Sequence, residues 1–209
     1  MILKNVFWIG GSPCAGKSSI SDLLAGRFGL EIYRVDQAFE NHVRRFNSEL
    51  QPALVRWCGA SWNERWMQPV ESLVREVIAC YREHFALILE DVLALPKDKP
   101  LLVEGTAILP KEVFDVQANC ERAVWVIPTA EFQTAHYVKR EWARQIVAQC
   151  DDAQTAFENW MERDIQFAGW VRAEAEALGC KVIIIDGQRR IEEIALEIAA
   201  YFGLKPLSK

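Results

Sequence analysis

Apolar positions along the chain fall into two rhythms. Short, largely apolar runs occur at residues 6–9 (VFWI), 30–35 (LEIYRV), 101–105 (LLVEG), 123–127 (AVWVI) and 182–185 (VIII). Each has the length of a strand, and their near-continuous apolarity predicts burial on both faces, as in a parallel sheet. Between them the period lengthens to that of a helix. Ile20, Leu23, Leu24 and Phe28 recur at helical spacing before Gly29, a candidate C-terminal cap. Phe39, Val43, Phe46 and Leu50 predict a short helix over 37–50, and a long one runs from Val70 through Leu73, Val77, Tyr81, Phe85 and Ile88 to Val92, ending before Pro96. After the fourth run come two stripes, Phe132, Ala135, Lys139, Trp142, Ile146 and Cys150, then Phe157, Trp160, Asp164, Phe167, Val171 and Leu178; a last helix covers 191–202 before Gly203.

Strands alternating with helices predict a doubly wound α/β architecture with five parallel strands. The 209 residues suit one such domain with insertions, spanning 1–209. Residues 51–68 (QPALVRWCGASWNERWMQ) break every pattern: Pro52, Gly59, three tryptophans and two arginines are too irregular for one element. Two readings stand for Trp57, Trp62 and Trp66: the lining of a pocket for a flat or anionic molecule, or packing of an insertion onto the domain.

The first helix is entered in an unusual way. Gly11-Ser12-Pro13-Cys14-Ala15-Gly16-Lys17-Ser18 fits G-x-x-x-x-G-K-[ST], with a strand before it and a helix after it. Glycines at both ends let successive N–H groups turn into one concavity at a helix N-terminus, where phosphate is favoured. Residues 11–18, with Ser19, are therefore the candidate nucleotide-binding residues. Lys17 supplies a point charge to the β and γ phosphates of ATP, and Ser18 a hydroxyl for Mg²⁺.

Composition narrows the partners. Hydrophobic residues are 51% and charged residues 25%, which is ordinary for a folded globule, and no apolar run is long enough to span a bilayer. A net charge of −5 disfavours sequence-blind nucleic-acid binding. Met1 leads at once into the first strand, leaving no room for a signal segment, so the cytoplasm is the expected location. The six cysteines stand singly, which predicts reduced packing thiols and neither a zinc site nor a disulfide framework. Cys14 sits inside the loop, either as a small residue that fits or as a thiol whose pKa the helix start lowers.

Further charges fall at informative places. Asp36 and Glu104 stand at strand C-terminal ends, where open parallel sheets bind ligands. Lys139 and Asp164 interrupt apolar stripes, so each has to be paired or line a polar site; an ion pair from Asp164 to Lys139 or to an arginine, holding the two helices together, is the simplest structural account, and a ligand role is the alternative.

Taken in order, the loop, Asp36, Val103-Glu104-Gly105, an arginine-bearing helical hairpin (Arg140, Arg144, Arg163) and Ile185-Asp186-Gly187 resemble the P-loop small-molecule and nucleotide kinases related to adenylate kinase and shikimate kinase. Val35-Asp36 is similar to antibiotic and nucleoside kinases, and Val103-Glu104-Gly105 to uridine kinase relatives. The resemblance implies sheet order 2-3-1-4-5, an acceptor-binding insertion at about 37–68 and a mobile lid at about 130–170. It implies ATP and Mg²⁺, with Lys17 and Ser18 as phosphate and metal ligands, Arg140 and Arg144 as lid cations, Asp36 as base and Glu104 serving metal or substrate. The loop after Asp186 lies near the adenine on this reading. Arg44, Arg45, Arg56 and Trp57 complete the candidate acceptor residues. The expected activity is γ-phosphoryl transfer to a hydroxyl of a small molecule, by a monomer or homodimer without nucleic-acid or membrane partners. Alternatives are a nucleoside monophosphate kinase, using Arg44, Arg45 and Arg56 for an acceptor phosphate, and a nucleotide switch that transfers nothing.

Overall fold

Five parallel strands run through the centre of the computed structural model, which describes residues 3–96 and 98–206. They are β1 (Val6–Gly11), β2 (Glu31–Arg34), β3 (Leu101–Glu104), β4 (Ala123–Pro128) and β5 (Lys181–Ile185), in the order β2-β3-β1-β4-β5 that the resemblance implied. Successive side chains leave a strand on opposite faces, so each central strand feeds two cores. Val6, Trp8, Leu101, Val103 and Trp125 face α5 (Val70–Ala94), α6 (Pro110–Gln117) and α9 (Ala153–Ala177). Phe7, Ile9, Leu102, Val124 and Val126 face α1 (Lys17–Phe28) and α10 (Ile191–Tyr201). That two-sided burial is why these runs carry no polar alternation.

One close approach shows how tightly the upper end of β1 is packed. A Cβ on Gly10 would stand 2.3 Å from Trp125 Nε1 and 2.5 Å from the Ile108 carbonyl, the two atoms that hydrogen-bond each other at 2.9 Å. A side chain here would cost both the fit and the buried tryptophan its acceptor.

The remaining helices form the upper rim: α2 (Val35–Val43), α3 (Pro52–Gly59), α4 (Trp62–Trp66), α7 (Ala130–Tyr137) and α8 (Glu141–Val147). A separate aromatic cluster joins α4 to α7, α8 and α9 around Trp66, Tyr137 and Trp160, and Trp66 and Trp160 stack with centroids 4.1 Å apart. Polar contacts reinforce it: Trp62 Nε1 donates to Gln149 Oε1 at 3.0 Å and Asn159 Nδ2 to the Trp66 carbonyl at 2.9 Å. Among the described residues no helix is long and apolar enough to cross a membrane.

Several expectations need correction. The helix after β2 starts at Val35 and stops at Val43, leaving Leu50 69% exposed and burying His42 instead. The irregular stretch 51–68 holds two short helices, one with Pro52 at its first turn, the other opened by a Ser61–Glu64 capping box. The first stripe of the hairpin breaks at Val138–Arg140 and restarts as α8, so its period does not carry through; Lys139 is exposed rather than turned inward. Cys120 and Cys180 are joined as a disulfide, with Cα atoms 5.0 Å apart, where reduced thiols were expected. Both lead into adjacent parallel strands, β4 and β5, which brings them together across 60 residues of sequence.

Candidate active site

The loop between β1 and α1 adopts the conformation its glycines permit. Gly11 has φ +125° and a Cβ there would lie 2.0 Å from the Val126 carbonyl oxygen; Gly16, at φ +77°, is the left-handed residue from which α1 begins. Cys14 also takes a positive φ, 65°. Lys17 is buried beneath the loop, its Nζ donating to the Ser12 carbonyl at 2.9 Å and the Gly11 carbonyl at 3.2 Å. Burial draws the Lys17 ammonium below its usual range, against the pull of Asp36 and Glu104. Burial likewise pushes the Cys14 thiol up, so Cys14 is a protonated loop residue and not an activated nucleophile.

Glu104 is buried at the end of β3 with Arg34 Nη1 on its Oε1 at 3.2 Å. Its carboxyl is pushed up by burial, while Lys17 and the Ser18 hydroxyl draw it down, which puts an acid and a hydroxyl together beside the loop. The loop forms one wall of a cavity of about 430 Å³, lined by residues 13–19 with Asp36, Thr106, Tyr137, Arg140 and Trp142. Arg140 is half-buried there, its guanidinium over the rings of Tyr137 (5.1 Å) and Trp142 (5.7 Å).

A second cavity, about 390 Å³, opens beside the first. Its walls are aromatic, with Trp57, Trp62, Trp66, Trp142 and Trp160 drawn from α3, α4, α8 and α9. Among the described residues three charged side chains reach it: Asp36, Arg65 and Arg163. Arg65 lies over Trp62 (4.6 Å) and Trp57 (5.3 Å). Arg163 is 6% exposed, 4.9 Å over Trp66, with Nε 2.7 Å from Asp164 Oδ1. Asp164 is buried and takes the Tyr137 hydroxyl at 2.8 Å, and its main-chain carbonyl accepts from Ser12 Oγ at 3.3 Å. The ion pair expected to hold the two hairpin helices together forms instead within α9, between Asp164 and its neighbour Arg163, and it is the contacts of Asp164 with Tyr137 and Ser12 that tie α9 to α7 and to the loop after β1. Pro13, Asp36, Tyr81, Tyr137 and Trp142 line both cavities, so the two adjoin at Asp36.

A parallel sheet ordered 2-3-1-4-5, with a G-x-x-x-x-G-K-S turn from its central strand into a helix, fixes the architecture. This is a P-loop nucleotide-binding fold. No protein-family model matches the chain, and no curated protein matches it in sequence. Among solved structures it is similar to shikimate kinase from Acinetobacter baumannii in complex with shikimate, at 15% identity over 93% of this chain and 90% of that one, TM-score 0.46. It is also similar to deoxyadenosine kinase from M. mycoides with bound dATP, at 11% identity over 95% and 99%, TM-score 0.48. A sugar kinase from Janibacter sp. gives 12% identity over 96% and 95%, TM-score 0.46.

The structure brings Gly11, Ser12, Pro13, Cys14, Ala15, Gly16, Lys17, Ser18 and Ser19 together with Asp36, Glu104 and Arg140, and puts Trp57 on the second cavity. The other sequence candidates lie elsewhere. Arg45 is held by Glu90 and Asp91, Arg56 by Glu76 at 3.2 Å, Arg44 is exposed at the end of α2, and Arg144 points to solvent from α8. Tyr81, Trp142 and Trp160 are lining residues that periodicity assigns to packing alone, and Tyr137, which stands on no predicted stripe, lines both cavities with Tyr81 and Trp142.

Proposed function

We propose that the protein is an ATP-dependent phosphotransferase that moves the γ-phosphoryl group to a hydroxyl of a flat, largely apolar small molecule. The observation that carries this reading is the position of Asp36, the carboxylate common to the phosphate-loop cavity and the aromatic cavity. A transferase needs a donor site and an acceptor site in register, with a proton acceptor between them.

On this reading the loop N–H groups and Lys17 hold the β and γ phosphates. Arg140 neutralises charge on the transferring group. Ser18 and Glu104 fit Mg²⁺, which keeps several waters and asks few protein ligands; when bound it offsets phosphate charge. Asp36 accepts the proton of the acceptor hydroxyl as its oxygen attacks the γ phosphorus. The bond to the bridging oxygen breaks, and ADP leaves. The stacked tryptophans hold the acceptor ring, and Arg163 offers its guanidinium to an anionic substituent. The segment 37–68 is the acceptor insertion and 130–170 the lid, and their shared aromatic cluster excludes water from the transfer.

The cations read as holding an acceptor phosphate, Arg44, Arg45 and Arg56, lie outside the second cavity. That disfavours the monophosphate-kinase reading, and an aromatic cavity opening onto the loop has no use in a plain nucleotide switch. The test is thermal shift with Mg-ATP and a panel of hydroxylated aromatic compounds, followed by ADP release. Ligand at 100 times its Kd adds about 2.7 kcal/mol, a shift of roughly 5–10 °C for a domain of this size. ADP release that no acceptor stimulates would overturn the proposal.

A further inference from the structure

One wall of the aromatic cavity is polar and takes no part in the transfer chemistry. His84, on α5, is buried and lines that cavity. Its Nε2 lies 2.7 Å from Nδ1 of His42 on α2, and His42 Nε2 lies 2.8 Å from Asp91 Oδ2. The Tyr33 hydroxyl donates to that same Asp91 oxygen at 2.7 Å, and Arg45 Nη1 to the other at 2.6 Å. Phe39 holds the His84 ring edge-on, with centroids 5.3 Å apart.

The proton positions along this chain follow from what each group can do. Partial burial alone would raise the Asp91 carboxyl, but hydrogen bonds from Arg45, Tyr33 and His42 hold it down at about 2, so it is ionised and accepts only. The His42 nitrogen facing it therefore carries a proton. The two ring nitrogens that face each other, His42 Nδ1 and His84 Nε2, share one proton, and we assign it to His84 Nε2, with His42 Nδ1 accepting. Burial, with His42 alongside, pulls His84 down to about 3, so His84 is neutral and carries only that one proton. Its Nδ1 is left as a lone pair; among the described residues no side chain donates to it, and it is not one of the sealed-off unmatched atoms of the core, in keeping with the place of His84 on the cavity wall. Around it the cavity offers Phe39, Leu54 and the Cys80 thiol, which burial pushes up to about 12. An acceptor in apolar surroundings is costly to leave unmatched.

We propose that His84 is a specificity-determining residue: held by the Asp91–His42 chain, its Nδ1 accepts a hydrogen bond from a hydroxyl or N–H group on the molecule in the aromatic cavity. The inference rests on the reading of that cavity as the acceptor site, and it adds a second requirement to the acceptor. Besides the hydroxyl that reaches Asp36, the molecule carries a hydrogen-bond donor where its ring meets α5.

The probes are phenol and anisole, which share a ring and differ in the donor. The full chain, labelled with ¹⁵N-histidine and held at pH 8, is titrated with each. Long-range ¹H–¹⁵N spectra are expected to show His84 as the Nε2–H tautomer. Phenol should move its Nδ1 resonance and bind about 10-fold tighter than anisole, the effect of one hydrogen bond to an acceptor on a largely apolar cavity wall. In His84→Phe the two probes should bind alike. An Nδ1–H tautomer, equal affinities in the unaltered protein, or no binding of either probe would overturn the proposal, and the tautomer measurement stands even if the variant does not fold. Phenol selectivity without ADP release in any acceptor assay would count against the phosphotransferase reading alone.

Discussion

The two cavities are close in volume, about 430 and 390 Å³, and differ in how they are made. The phosphate-loop cavity takes most of its chemistry from one consecutive stretch, residues 13–19, whose backbone shape is dictated by Gly11 and Gly16. The aromatic cavity takes its walls from five or more elements, and its tryptophans come from positions 57 to 160. A site built from backbone is written locally and resists variation. One built from side chains on separate helices exists only once the helices pack, and it can be re-cut without disturbing the loop.

The variants that separate these two kinds of site differ widely in expected size. Lys17→Ala removes the buried cation beneath the loop and should lower phosphoryl transfer on the order of 10³–10⁵-fold, as loss of a cation that carries transition-state charge does. ADP release measures it, and near-normal turnover would remove the loop from the reaction. Asp36→Asn, at the junction, should lower kcat by roughly 10²–10⁴-fold with nucleotide binding intact. An equal loss in nucleotide affinity would reassign Asp36 to the donor side.

Trp66→Ala touches only the aromatic side. It deletes the ring stacked on Trp160 and should cost about 3 kcal/mol by chemical denaturation, with the ATP-induced thermal shift retained. A smaller effect comes from acid. Because the Asp91 carboxyl titrates at about 2 in the folded chain, below its ordinary 3.8, it contributes stability above pH 4 that is lost as pH falls toward 2. With allowance for its partial exposure this is about 1–2 kcal/mol, and Asp91→Asn should flatten the profile between pH 4 and pH 2. Smallest of all, Arg56→Ala removes a largely exposed cation from its pair with Glu76 and should change stability by less than about 0.5 kcal/mol and leave acceptor turnover unchanged.

What could be read from the sequence follows the same division. The sheet was legible because strands buried on both faces leave uninterrupted apolar runs, and the loop because its glycine spacing is tied to one backbone shape. The helix α6 went unread: it has two turns, and its buried positions, Pro110, Val113 and Gln117, are a proline, one aliphatic residue and a polar one, which make no apolar stripe. The Ser61–Glu64 capping box was present in the irregular stretch as S-x-x-E, yet the helix it opens is only five residues long. Arg45 and Arg56 looked like ligands for a substrate because sequence does not say which acid folds beside a base. Their partners are 45 and 20 residues away. The His84–His42–Asp91 chain depends on α2 laid across α5, a crossing that no local pattern announces.

The stack of Trp66 on Trp160 has a practical consequence. It fastens the segment that carries Trp57 and Trp62 to the hairpin that carries Arg140 and Trp142, so whatever swings the hairpin outward must also unstack indole rings whose centroids lie 4.1 Å from each other. Indole fluorescence is sensitive to such stacking and to the arrival of water. The protein therefore carries its own optical reporter at the seam between insertion and hairpin, and stopped-flow emission after mixing with nucleotide would time their separation without any added label.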